Sequence, residues 1–123
     1  MHTGETMPDL STYLPLKPLV FHALLALKEQ ELHGYGIKKS VAGRSGGAID
    51  LEPGTLYRLM ARLLKQGLID ESDRRPAPES DDERRRYYAI TKLGRQVLAA
   101  EAARMADLLS DDSVRALAAE GRG

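Results

Sequence analysis

The chain has 123 residues, the size of one small domain, with 18 basic residues, 18 acidic residues and no cysteine. The missing cysteine excludes a disulfide framework, a thiol nucleophile and a zinc–thiolate site. A net charge of zero excludes a globally basic nucleic-acid binder, so only a local patch can serve that role.

The start, "MHTGETMPDLSTYLPLKPLV", lacks the basic opening and long apolar stretch of a signal peptide. The longest apolar run, Ala23 to Leu27, is far too short to span a bilayer. A cytoplasmic protein with no membrane partner is expected. Apolar residues at Leu16, Leu19, Val20, Ala23, Leu24 and Leu27 trace one face of a helix. Pro18 is tolerated only in a first turn, so this helix starts near Leu16 or Lys17 and ends near Glu31.

"HGYGIKKSVAGRSGG" follows, with Tyr35, Ile37 and Val41 able to face inward from a short helix that Gly43 and Gly46-Gly47 stop. "AIDL", residues 48–51, alternates briefly and reads as a stub of strand. "EPGTLYRLMARLLKQGLI" is the clearest helix: Pro53 suits its first position, Glu52 brings a negative charge to its N-terminus, and Gly67 follows its end. "LIDES" and "RYYAI" read as two strands, joined by the proline- and charge-rich loop "DRRPAPESDDER". Thr91 caps a long helix of roughly 20 residues, about 30 Å, with Leu98, Ala102, Met105 and Leu109 on one side and Leu93 and Val97 on a neighbouring stripe. Residues 111–119 form a last short helix, and "EGRG" frays.

Three helices followed by a hairpin is the plan of a winged helix-turn-helix. The expected fold class is therefore mainly α with a β-hairpin wing. The long C-terminal helix lies outside that plan. Its apolar stripes exceed what one small winged domain can cover, which makes it a candidate dimerisation helix. Residues 1–13 read as a flexible N-terminus, 14–90 as the DNA-binding domain and 91–119 as the dimerisation region.

Charge is unevenly laid out. Residues 33–69 hold six cations against two acids, whereas residues 1–32 hold two against four. Stepping 100° per residue along the third helix puts Leu56, Leu59, Met60 and Leu63 within a sector of about 100°, with Gly54, Thr55, Arg58, Ala61, Arg62 and Lys65 on the far side and Tyr57 at the border. That far side has three cations and no acid. A solvated helix face is the plain alternative. The order of elements favours DNA, because the second helix of the turn is the one that enters the major groove. Lys38 and Lys39 precede it, and Arg74, Arg75, Arg84, Arg85 and Arg86 flank a wing tip that also holds Glu79, Asp81, Asp82 and Glu83.

"HGYGI", "LEPGTLYRLMARLLKQGLI" and "RRRYYAITKLGRQVL" together resemble the PadR family of transcriptional regulators, in the right order over most of residues 14–110. The resemblance implies a homodimer built through the C-terminal helix, a palindromic double-stranded DNA operator and, usually, repression. It places Tyr35, Thr55, Tyr57 and Arg58 at the DNA surface and uses the arginines before Tyr87 and Tyr88 to hold the wing. With one C-terminal helix of consequence, the chain resembles the short branch of that family. Multidrug-sensing members of that branch stack flat ligands on a tryptophan in the last helix. This chain has none, and Met105 falls at about that place, able to line an adaptable apolar pocket.

The expected DNA contacts are thus Tyr35, Lys38, Lys39, Thr55, Tyr57, Arg58, Arg62, Arg85 and Arg86. The expected subunit interface sets Leu98, Ala102, Met105 and Leu109 of one chain against Leu19 and Leu24 of the other. A small hydrophobic effector between subunits would release the operator. The alternative to the dimer is a long helix that covers its own hairpin. No metal or other cofactor is expected, and no enzyme: His2, His22 and His33 lack ligand spacing, "GYG" is no phosphate loop, and the acids at 79–83 have no pocket. His22 reads as a packed residue and His33 as a cap. The alternative function is a winged-helix protein–protein module that ignores DNA.

Overall fold

The computed structural model describes residues 9–73 and 86–123. Residues 10–13 form a single 3-10 turn, followed by α1 (Pro18–Glu29), β1 (Leu32–His33), α2 (Gly34–Arg44), α3 (Pro53–Lys65), β2 (Ile69–Glu71), β3 (Tyr87–Ile90), α4 (Lys92–Leu109) and α5 (Asp112–Arg122). The helices start where their caps dictate. Pro18 and Pro53 occupy first turns, where a missing N–H leaves nothing unpaired. His33 Nδ1 accepts the Gly36 N–H at 3.0 Å, Thr91 Oγ1 accepts the Gly94 N–H at 2.9 Å, and Asp111 Oδ1 accepts the Ser113 N–H at 2.8 Å. Those bonds, with the Ser113 hydroxyl first among them, hold the Asp111 carboxyl below its usual range.

The sheet has the order β1-β3-β2, all antiparallel, with Leu32 opposite Tyr88 and Asp70 opposite Ala89. Its third strand differs from expectation. Residues 48–51 lie outside regular structure among the described residues, and Leu51 is buried there as a plug. The strand is instead the two residues before α2, which β3 recruits from far along the chain. Two other boundaries move. The turn at 10–13 packs on α4 instead of forming part of a loose tail, and α5 runs on to Arg122.

One core gathers α1, α2, α3, the sheet and the first half of α4, with Leu24, Ile37, Val41, Leu63, Ile69 and Val97 fully enclosed. Each such side chain contributes roughly 1.5–3 kcal/mol. Leu24 and Leu98, expected between subunits, are 0% and 4% exposed inside this core. They correct the expected interface: α1 crosses α4 of its own chain, so their surface is already spent intramolecularly. Leu19 is half-buried, Ala102 is exposed and Met105 is half-buried.

The joint between α3, the sheet and α4 is tight. Gly67 turns the chain at φ 76°, a conformation that suits glycine. The Thr91 hydroxyl donates to the Gly67 carbonyl at 2.7 Å while the Thr91 N–H donates to the Leu68 carbonyl at 3.1 Å. Gly94 packs so closely that a Cβ there would lie 2.1 Å from the Leu68 carbonyl oxygen.

A second tie joins α4 to the N-terminal segment. Glu101, 2% exposed, accepts the Leu16 N–H at 3.1 Å and both Arg104 Nε at 2.7 Å and Arg104 Nη2 at 3.0 Å. These bonds, Arg104 foremost, hold the Glu101 carboxyl below its usual range against the opposing effect of burial.

Gly94→Ala is expected to cost about 3 kcal/mol, because the contact is with backbone that cannot swing away; a denaturant titration measures it. Glu101→Gln is expected to cost about 1–2 kcal/mol at neutral pH, since Arg104 is 40% exposed and partly screened. A depressed carboxyl pKa stabilises fully above the unfolded value, about 4.3, and that stabilisation fades as pH drops through the folded value. The variant should therefore show a shallower acid limb in a plot of thermal midpoint against pH; an unchanged limb would refute the role.

Candidate nucleic-acid interface

α3 presents two sides of opposite character. Leu56, Leu59, Met60 and Leu63 are buried, whereas Gly54, Tyr57, Arg58, Ala61, Arg62 and Lys65 are exposed and Thr55 is half-exposed. The helix is amphipathic because its apolar residues recur at three and four positions, so packing the leucines forces the cations outward. Gly54 and Ala61 are small, which leaves the helix open to close approach on either side of Arg58. Arg58 Nη2 makes one long contact to Thr55 Oγ1 at 3.4 Å. Among the described residues, no acid pairs with Arg58, Arg62 or Lys65.

α2 flanks this surface. Tyr35 is 61% exposed and Tyr57 is 68% exposed, unusually high for tyrosine rings. The Lys39 ammonium sits over the Tyr35 ring one helical turn earlier on α2, 5.6 Å from its centroid. The His33 ring lies 5.3 Å from the Tyr87 ring, so the α2 cap also touches the wing strand β3. Aromatic hydroxyls and free cations around one projecting helix are the donors that phosphates and guanine edges accept from.

Not every expected contact belongs to this surface. Lys38 Nζ donates to Asp50 Oδ1 at 2.6 Å and to the Leu51 carbonyl at 2.9 Å, where it ties the 48–51 segment to α2. Arg86 pairs with Glu71 at 3.4 Å across the base of the wing, with both side chains largely exposed. Arg62 is exposed but lies on the edge of α3 that faces the N-terminal segment. Arg85, together with Arg74, Arg75, Arg84 and the acids at 79–83, lies outside the described residues.

A family model described as the transcriptional regulator PadR-like family matches residues 23–100, from the middle of α1 through the first half of α4. The chain belongs to the PadR-like family of transcriptional regulators. An uncharacterized protein of Lysinibacillus sphaericus is 31% identical over 75 residues, 61% of this chain and 66% of its own length. An uncharacterized 37.1 kDa protein of a Streptomyces fradiae transposon is 39% identical over 85 residues, 69% of this chain and 22% of its own length. This chain thus spans less than two thirds of either relative. A PadR-like transcriptional regulator from Bacillus cereus shares the fold at TM-score 0.64 and 21% identity, over 80% of this chain and 89% of that one.

The PadR-like chain also carries a second exposed surface, away from α3. Leu108, Leu109 and Leu117 are 51%, 56% and 64% exposed at the end of α4 and on α5. No residue of α5 is buried. Sequence reading missed the Glu101 tie. An i,i+3 Glu–Arg pair was its one available signal, and that pattern usually marks a solvated face.

Proposed function

We propose that the protein is a sequence-specific DNA-binding transcriptional regulator that acts as a homodimer on a palindromic operator, represses transcription there and is released by a small-molecule effector. The observation that carries this reading is the outward side of α3, where Arg58 and Lys65 have no acidic partner among the described residues and Tyr57 projects with them, with Tyr35 and Lys39 on neighbouring α2. Arg58 and Lys65 serve the centre of that side. Arg58 has the reach and fork geometry for a guanine edge, and Lys39 and Lys65 supply charge for phosphates.

The dimer reading rests on apolar exposure. Ala102, Met105, Leu108 and Leu109 with Leu117 of α5 leave an apolar surface on the half of α4 that its own core does not cover. A second copy of the chain would bury it, and two α3 helices spaced about 34 Å would then meet successive major grooves.

Duplex affinity is expected to fall linearly on a log–log plot against salt, by roughly 0.9 per phosphate neutralised; fluorescence anisotropy at several ionic strengths measures the slope. Arg58→Ala should cost about 1–3 kcal/mol and relax preference at one base pair. No duplex binding at low salt would leave the protein–protein module standing in place of the regulator. Leu109→Glu combined with Leu117→Glu should convert a dimer to a monomer in sedimentation equilibrium while the thermal transition persists; a parent protein that sediments as a monomer would overturn the dimer.

A further inference from the structure

Lys38 and Lys39 are adjacent on α2 and have opposite surroundings. Lys39 has no carboxylate partner among the described residues and rests over the exposed Tyr35 ring. Lys38 has two of its three ammonium donors occupied, by Asp50 Oδ1 at 2.6 Å and by the Leu51 carbonyl at 2.9 Å. Both acceptors belong to the turn that leads into α3.

That turn, residues 45–52, passes through Gly46 and Gly47 at φ 64° and 86°, and glycines stiffen a chain least. Its first half is tied by Ser45, whose hydroxyl donates to the Ala42 carbonyl and accepts the Ile49 N–H at 3.0 Å. Its second half is held by the buried Leu51 and by Lys38. α3 then starts at Pro53 with no side-chain cap from Glu52. The Lys38 bonds thus anchor the chain immediately ahead of the helix that carries Arg58.

We propose that Lys38 is a positioning residue. Through Asp50 and the Leu51 carbonyl it sets how α3 enters, and so where Tyr57 and Arg58 stand relative to α2, instead of contacting DNA itself. The role rests on the DNA-binding reading above. The ion pair alone is weak, because the Lys38 and Asp50 side chains are 32% and 75% exposed. What the arrangement supplies is geometry: one ammonium grips a carboxylate and a carbonyl of neighbouring residues, which then cannot turn independently. A two-pronged contact between a guanidinium and a guanine tolerates little displacement, whereas attraction to phosphates tolerates much. Loss of the brace therefore costs discrimination between sequences more than it costs attraction to DNA. Lys39 supplies charge, and Lys38 supplies geometry.

Asp50 separates this role from a phosphate contact by sign. If Lys38 met a phosphate, removing the exposed acid beside it would strengthen binding to every duplex. If Lys38 is a brace, removing the same acid weakens discrimination.

The test takes a duplex that the native chain selects from a random pool and a scrambled duplex of equal composition, with fluorescence anisotropy on both over a range of salt. Lys38→Met and Asp50→Asn should each lower the ratio of the two affinities roughly tenfold, with the salt slope on the scrambled duplex unchanged. Combining them should add little, since both break one tie. Lys39→Gln should instead lower that slope by about 0.9 and keep the ratio. Asp50 is mostly exposed, so Asp50→Asn decides the matter if Lys38→Met fails to fold. Unchanged ratios overturn the proposal. A slope loss of about 0.9 in Lys38→Met, or tighter binding of both duplexes by Asp50→Asn, then makes Lys38 a phosphate contact. A native chain that selects no duplex overturns the regulator reading itself, and the positioning role falls with it.

Discussion

The burial of the leucine side of α3 is the interaction on which the surface of this protein depends. Leu56, Leu59, Met60 and Leu63 reach under α2 and the sheet, and Leu63 is fully enclosed. Four such side chains together outweigh the cost of leaving Arg58, Arg62 and Lys65 without partners. Rotation of α3 by one residue step, 100°, would drive a cation into the core and expose a leucine. The orientation of the basic side is therefore fixed by hydrophobic packing and not by electrostatics.

Electrostatics acts on the neighbours instead. Lys38 and Arg86 lie close to the same region, and each has been neutralised locally, by Asp50 and Glu71. Those pairs hold the 48–51 segment and the base of the wing. Among the described residues, Arg58, Arg62 and Lys65 give α3 three cations without a carboxylate partner, and Lys39 adds one on α2. A net charge of zero is thus compatible with a basic face, because no acid lies on the outward side of α3.

Much of this was legible in the residues. α3 was readable because its apolar residues keep a helical period without interruption and a proline marks its start. The caps at His33 and Thr91 were readable for the same local reason. What failed was non-local. The strand at Leu32–His33 exists only because Tyr87 and Tyr88 arrive from far along the chain to pair with it, and two residues carry no period of their own. The stub at 48–51 alternates in sequence but pairs with no strand among the described residues. Leu24 and Leu98 look like an interface stripe on paper, yet a helix sequence does not say whether its apolar face meets its own chain or another. Glu101 carries the opposite lesson: a charged residue on a mixed helix face turned out to be enclosed, because the backbone at Leu16 supplied a donor that no pattern in α4 could announce.

The joint at Thr91 has a mechanical consequence. One hydroxyl caps α4 and also grips the turn after α3, while Gly94 lets the two backbones touch. The turn after α3 and the start of α4 are held directly to each other, so α3 and α4 behave as arms of a single bracket. In a two-fold pair, a tilt of a few degrees where the long arms meet would be delivered, undamped, as a change in the distance between the short ones.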